Sequence, residues 1–154
     1  MKVEYINPFL RATKKLFSTT FGIDPSMEKP FLLDCVNSKR FDISAEMVFK
    51  GNFSGALALR MPKHLCNKLL ELSNITFSGD EERSILLSEM VKELVNIIVG
   101  NAASELSKYN VEVSVPFIVQ GEDHEIPWPR NMPTICIPFY TRYGPFVEIF
   151  CAKI

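Results

Sequence analysis

The chain has 154 residues, 47% of them hydrophobic and 23% charged, with 17 Lys and Arg against 18 Asp and Glu for a net charge of −1. A chain this long buries roughly two thirds of its unfolded surface, so residues 1–154 read as one globular domain that needs no disulfide or metal, and its 12 Phe exclude disorder. The balanced charge excludes the basic face that counterion-release binding to nucleic acid requires.

In chain order, Asn7-Pro8 reads as a helix N-cap followed by proline at the first helical position. Phe9, Leu10, Leu16 and Phe17 recur at helical spacing until Gly22. After a turn at Asp24-Pro25-Ser26, the stretches Pro30 to Val36 and Phe41 to Phe49 carry strand-forming residues. In the second, Ile43, Ala45, Met47 and Phe49 alternate with Asp42, Ser44, Glu46 and Val48, the period of a strand with one buried face. Lys50-Gly51-Asn52 turns the chain, and Phe53 to Met61 is its antiparallel partner. Pro62 opens a short helix through Leu72, and a polar run from Ser73 to Arg83 precedes a long helix from Ser84 to about Tyr109. Asp80, Glu81 and Glu82 lie at its start, where carboxylates favour the positive end of the helix dipole. Val111 to Pro116 is a strand, Gln120 to Glu125 a polar loop, and Pro127 to Pro133 a proline-rich stretch. Strands Thr134 to Thr141 and Phe146 to Lys153 then form a hairpin across Arg142-Tyr143-Gly144-Pro145.

A hairpin symmetric about Tyr143 and Gly144 sets Cys136 opposite Cys151 as two buried thiols. The same register puts Ile135, Ile137, Phe139, Phe146 and Phe150 on one face and Tyr140, Val147 and Ile149 on the other, so both faces need cover. Helices would cover one, and a loop or a second subunit the other. The expected class is α+β, with a mostly antiparallel sheet and three helices. Helix followed by strands occurs twice, the order that a degenerate duplication of one helix-plus-strands unit would leave. No stretch reaches the ~18 to 20 apolar residues of a membrane helix, and no signal peptide opens the chain, so a cytoplasmic location is expected. Cys35, Cys66, Cys136 and Cys151 are scattered without a CxxC pair, which argues against a zinc site and a disulfide framework.

Stepping the long helix at about 100° per residue puts Leu87, Val91, Leu94, Ile98 and Ala102 on one apolar side. Glu89, Glu93, Asn96 and Gly100 fall within about 60° of one another on the far side. Glu93 and Asn96, three apart, are neighbours on the helix surface. An ordinary solvated face carries Lys and Glu and avoids Gly, which costs about 1 kcal/mol against Ala in a helix interior. By itself, an ExxN on an exposed helix is common.

The segment Glu93-Leu94-Val95-Asn96-Ile97-Ile98-Val99-Gly100-Asn101-Ala102, the later Val115-Pro116-Phe117 and Gly121, and the opening Tyr5-Ile6-Asn7-Pro8-Phe9 resemble the CheX, CheC and FliY group of chemotaxis phosphatases, with CheX the closer match. CheC-type chains carry a second ExxN near the N-terminus, and Asn7 to Gly22 contains none. The resemblance implies a CheC-like fold and a protein that removes the phosphoryl group from a phosphorylated CheY-type response regulator. It assigns Asn96 to holding the attacking water and Glu93 to pairing with the regulator's active-site lysine. Glu89 and Gly100 join them as partner-binding positions. The family pattern places Asp or Ser four residues before the Glu, where this chain has Glu89, and a proline some two dozen residues after the Asn, where Pro116 comes earlier. The resemblance further implies no cofactor or metal on this chain, Mg²⁺ on the regulator, and a homodimer.

These roles suit the side chains. An amide donates and accepts, so it can orient water in line with phosphorus without adding charge beside a phosphoryl dianion. A carboxylate facing a lysine gives a directional, charge-assisted contact. The competing class is a non-catalytic adaptor of the same fold that docks a regulator without hydrolysis, and a weaker third is a small-molecule sensor. His124, in the acidic loop Glu122-Asp123-His124-Glu125, is a minor candidate for a base or ligand, and Asn101 lies off the stripe. Lys14, Lys15, Lys39, Arg40 and Lys50 read as solvated surface. Trp128, between Pro127 and Pro129, is a packing or interface residue.

Overall fold

The computed structural model describes residues 3–37 and 41–153, so Lys39 and Arg40 lie outside the described residues. The elements run α1 (Val3–Phe21), β1 (Ser26–Met27), β2 (Phe31–Leu32), β3 (Ile43–Lys50), β4 (Ser54–Met61), α2 (Lys63–Leu72), α3 (Asp80–Glu105), a 3₁₀ turn (Ser107–Tyr109), β5 (Glu112–Val113), β6 (Phe117–Gln120), β7 (Thr134–Thr141) and β8 (Gly144–Lys153). The strands form one sheet in the order β1-β7-β8-β4-β3-β5, with β2 also on β7 and β6 also on β3. Its ladders are antiparallel. The expected α+β class, with three helices on a mostly antiparallel sheet, is the observed one.

One sheet face is covered by the helices. Phe9 and Phe17 of α1 and Val91, Leu94, Val95 and Ile98 of α3 are buried with Met47, Phe49, Leu57, Leu59, Ile137, Phe139, Phe146 and Phe150 of the sheet. Phe139 stacks on Phe146 at 4.9 Å and Phe146 on Phe17 at 4.7 Å, which locks α1 onto the β7–β8 hairpin. Burying each such side chain contributes about 1.5–3 kcal/mol relative to leaving it in water. The opposite face is covered by loops. Ile126 packs with Ala58, Cys136, Val147 and Ile149, backed by Leu33, Val36, Phe41 and Trp128. A loop is therefore one cover of that face. It also buries the second face of β3, where Ser44 is 1% and Glu46 7% exposed, so the strand expected to have one buried face has two.

Arg60 on β4 organises that loop cover. Its buried guanidinium donates to Ser44 Oγ (2.9 Å), Val36 O (2.8 Å) and His124 O (3.3 Å), and lies over the Phe41 ring. His124 is absorbed into the same network, with Nε2 2.6 Å from Ser44 Oγ and Nδ1 2.9 Å from Gly121 O. Trp128 packs on this cluster, and its Nε1 donates to Thr134 Oγ1 at 2.9 Å.

Several boundaries differ from the expected ones. Helix α1 starts by Val3, so Pro8 lies inside it, not at its first position. A proline there removes one intrahelical bond, but Tyr5 and Ile6 are buried in the core, and that packing outweighs the local proline signal. Helix α3 begins at Asp80, four residues before Ser84, because Ser78 donates its backbone N–H (2.8 Å) and hydroxyl (2.5 Å) to Glu82 and so closes the first turn. Those bonds hold the Glu82 carboxyl below its usual range. The strand expected over Pro30 to Val36 is only Phe31–Leu32, and that over Val111 to Pro116 only Glu112–Val113. Strand β6 was not anticipated, since four residues after a proline carry no usable period and its identity comes from pairing with β3.

The β7–β8 register is two residues from the expected one. Thr141 pairs with Gly144 around an Arg142-Tyr143 turn, so Cys136 faces Ile149 and Cys151 faces Thr134. The two thiols are buried but not opposite each other. A slip of two keeps every side chain on its face, which is why the assigned faces survive. Gly144 is required here: its φ is +130°, and a Cβ would lie 2.5 Å from Nε2 of His64 on α2.

Glu148 of β8 is 0% exposed on the helix-covered face, between Leu59 and Ile137 of the neighbouring strands. Thr13 Oγ1 of α1 contacts both Glu148 Oε1 and, at 2.9 Å, the Phe9 carbonyl. One hydroxyl proton serves one acceptor, so both contacts are made when Thr13 donates to Phe9 and a neutral Glu148 donates to Thr13. Burial pushes the Glu148 carboxyl up from 4.5 to about 8. The folded state therefore holds a proton that the unfolded chain releases above 4.5, and stability falls as pH rises from about 4.5 to about 8. The Glu148→Gln variant, which keeps the donor without the charge, should melt above wild type at pH 8.5 and close to it at pH 5. Equal melting temperatures at pH 8.5 would refute a neutral Glu148.

Candidate functional site

Helix α3 lies against α1 and the sheet, with Leu87, Val91, Leu94, Val95, Ile98, Val99 and Ala102 buried. That anchoring fixes which way the other side points. Glu89, Glu93, Asn96 and Gly100 are all exposed, so the structure brings the four expected residues onto one open stripe. Neither Glu93 nor Asn96 makes a hydrogen bond or ion pair with another described residue. Elsewhere, exposed charges do pair, as in Arg11–Glu105 (2.5 Å), Lys68–Glu71 (3.2 Å) and Arg83–Asp80 (2.9 Å). The stripe presents a carboxylate and an amide with their hydrogen-bonding capacity unspent.

Gly100 sharpens the picture. A Cβ built on it meets nothing within 4 Å, and its backbone is ordinary helix. Neither crowding nor dihedral angle within this chain requires glycine there, in contrast to Gly144. The absent side chain leaves room only for something outside the chain.

Gln120, read from the sequence as the start of a polar loop, proves to brace this helix. Its Nε2 donates to Ser84 Oγ at 3.0 Å, and its Oε1 accepts from Ser88 Oγ. This clamp ties β6 to the turn that precedes Glu89. No local signal in the sequence could have found it, because it depends on the β3–β6 pairing. Asn101 lies off the stripe and lines a groove between α1 and α3 with Arg11, Lys14, Lys15 and Ser104. Among the described residues no three His, Cys, Asp or Glu side chains cluster as a metal site, and no helix is long and apolar enough to cross a membrane.

The stripe has no nucleophile and no general base with an orienting partner. What it can do is hold a water through an amide and pair a carboxylate with a cation brought by something else.

Solved structures define the class first. The chain superposes on a CheC-like superfamily protein from Shewanella sp. PV-4 with a TM-score of 0.87, at 24% identity and over 100% of both chains. It superposes on a chemotaxis protein CheX from Desulfovibrio desulfuricans with a TM-score of 0.84, at 27% identity, over 98% of this chain and 100% of that one. The fold is CheC-like. A model of the family described as chemotaxis phosphatase CheX matches residues 43–140, which include Glu93 and Asn96, and the chain belongs to that family. The CheX chain of a CheX–CheY–BeF3–Mg²⁺ complex from Borrelia burgdorferi has the same fold, with a TM-score of 0.80 at 21% identity over 99% of this chain and 100% of that one. No curated protein matches the chain by sequence.

Proposed function

We propose that this protein accelerates hydrolysis of the aspartyl phosphate of a CheY-type response regulator, with Asn96 and Glu93 as its working side chains. Membership of the CheX family supports the reaction class. The observation that carries the residue assignment is the exposed Glu93/Asn96 pair, held on a buried-backed helix with no described partner of its own. A CheX protein of the same fold is known in a complex with CheY, BeF3 and Mg²⁺, which supports a CheY-type partner. The Mg²⁺ belongs to that partner in this proposal.

In this proposal Asn96 enters the regulator's phosphorylated site and holds a water in line with phosphorus. The water oxygen bonds to phosphorus, the bond from phosphorus to the aspartyl oxygen breaks, and inorganic phosphate leaves. Glu93 pairs with a lysine of the regulator and sets the docked geometry. Glu89 and Gly100 complete the contact, the first as a second carboxylate and the second by letting the partner approach the helix backbone.

The test is the decay of a ³²P-labelled CheY-type regulator from the same cell, with Mg²⁺, in the presence and absence of this protein. Faster decay with the protein is the expected result. Binding without faster decay would replace the enzyme by an adaptor. The homodimer belongs to the same proposal, and a monomeric mass in solution at the assay concentration would count against it.

A further inference from the structure

Beyond Gly100 the exposed line of α3 continues into Ser104, four residues on, and there it meets α1 across a groove of about 610 Å³. Arg11, Lys14 and Lys15 line the α1 side, and Asn101, Ser104 and Glu105 the α3 side. Arg11 is taken by Glu105 at 2.5 Å. Lys14 and Lys15 are exposed and make no ion pair with another described residue.

Their position answers an electrostatic difficulty of the site. Between the helix start and Gly100, α3 exposes Glu81, Glu82, Glu89 and Glu93, while Arg83 is paired with Asp80 and Lys92 is the one other cation of that stretch. A stripe so acidic repels a partner that carries a phosphoryl dianion, however well Asn96 suits it. On the α1 side of the groove the positive charge of Lys14 and Lys15 is unpaired among the described residues, and the one acidic residue of α1, Glu4, lies about two turns before Arg11.

We propose that the Lys14/Lys15 groove is an electrostatic docking surface for an acidic patch on the phosphorylated regulator, beside the phosphoryl group that Asn96 meets. This rests on the phosphatase reading and deepens it: α3 supplies the chemistry and α1 supplies the attraction. Like other exposed charges, the two lysines act on the rate of encounter more than on the docked complex, and salt screens them.

The experiment measures association by stopped flow between this protein and the regulator activated with beryllofluoride and Mg²⁺, a stable phosphoryl analogue, at 20 mM and 500 mM salt. The Lys14→Glu/Lys15→Glu variant should associate about tenfold more slowly than wild type at low salt, and within about twofold at high salt. The dissociation rate and the maximal dephosphorylation rate should stay within about twofold. The Lys14→Gln/Lys15→Gln variant, should the reversal unfold the chain, should show a smaller loss of the same kind. A control with the same change of net charge at remote exposed lysines, Lys29→Glu/Lys153→Glu, should lose less than twofold. A groove variant that associates as fast as wild type, or is slowed no more than the control, overturns the proposal. A wild-type protein that binds without accelerating decay overturns the phosphatase reading and leaves the groove standing. One that does not bind overturns both.

Discussion

Replacing Asn96 by Ala should bring the decay of the phosphorylated regulator back to its unassisted rate, a loss of about 10²-fold or more if positioning of water is what the amide supplies. The protein should fold as before. Asn96 is exposed and without a described partner, and alanine is the better helix former, so the melting temperature should hold or rise by a degree or two. Affinity for the regulator should change only a few fold. Glu93→Ala separates the two roles: it should raise the regulator concentration needed for half-maximal rate while leaving the rate at saturation largely intact, because a lost docking contact is recovered by mass action. If Asn96→Ala keeps the acceleration, or if Glu93→Ala lowers the saturated rate as severely as Asn96→Ala, the assignment of roles fails.

The second large effect is expected at Gly100, with opposite signs for stability and function. Since a Cβ there meets nothing within 4 Å and the backbone is helical, Gly100→Ala should stabilise the fold by about 1 kcal/mol. At this chain length that corresponds to a rise of roughly 2–4 °C in melting temperature. The same methyl group occupies space into which the partner is proposed to settle, so docking should weaken, and Gly100→Leu should weaken it tenfold or more. A variant that gains stability and loses binding places the reason for the glycine outside the chain. Were Gly100→Leu to bind the activated regulator as tightly as wild type, the docked face would have to lie elsewhere.

Legibility in the sequence followed the range of the interactions. The Glu89/Glu93/Asn96/Gly100 stripe could be read because helical phase is set by neighbours three and four residues away, and because side chains that face solvent have no tertiary partner to move them. The faces of the β7–β8 hairpin were legible for a similar reason, since alternation survives a slip of two. Its register was not: that depended on a turn at Arg142-Tyr143 closed by Gly144 at a positive φ. Pro8 misled because its local signal is genuine, and only the burial of Tyr5 and Ile6 overrides it. The β6 strand and the Gln120 clamp were out of reach altogether, as both exist only once β3 is in place.

The sequence by itself therefore determined the fold class and the chemical content of the exposed helix face, both of which rest on short-range periodicity. Only the tertiary structure decided which ionisable side chains lie in the interior, Glu148 against α1 and Arg60 under the loops, and which lie together at the surface. Lys14 and Lys15 read as ordinary solvated lysines along the chain. They became part of the candidate site because α1 packs beside α3, a contact between segments some ninety residues apart whose free energy comes from the apolar surface both bury against the same sheet.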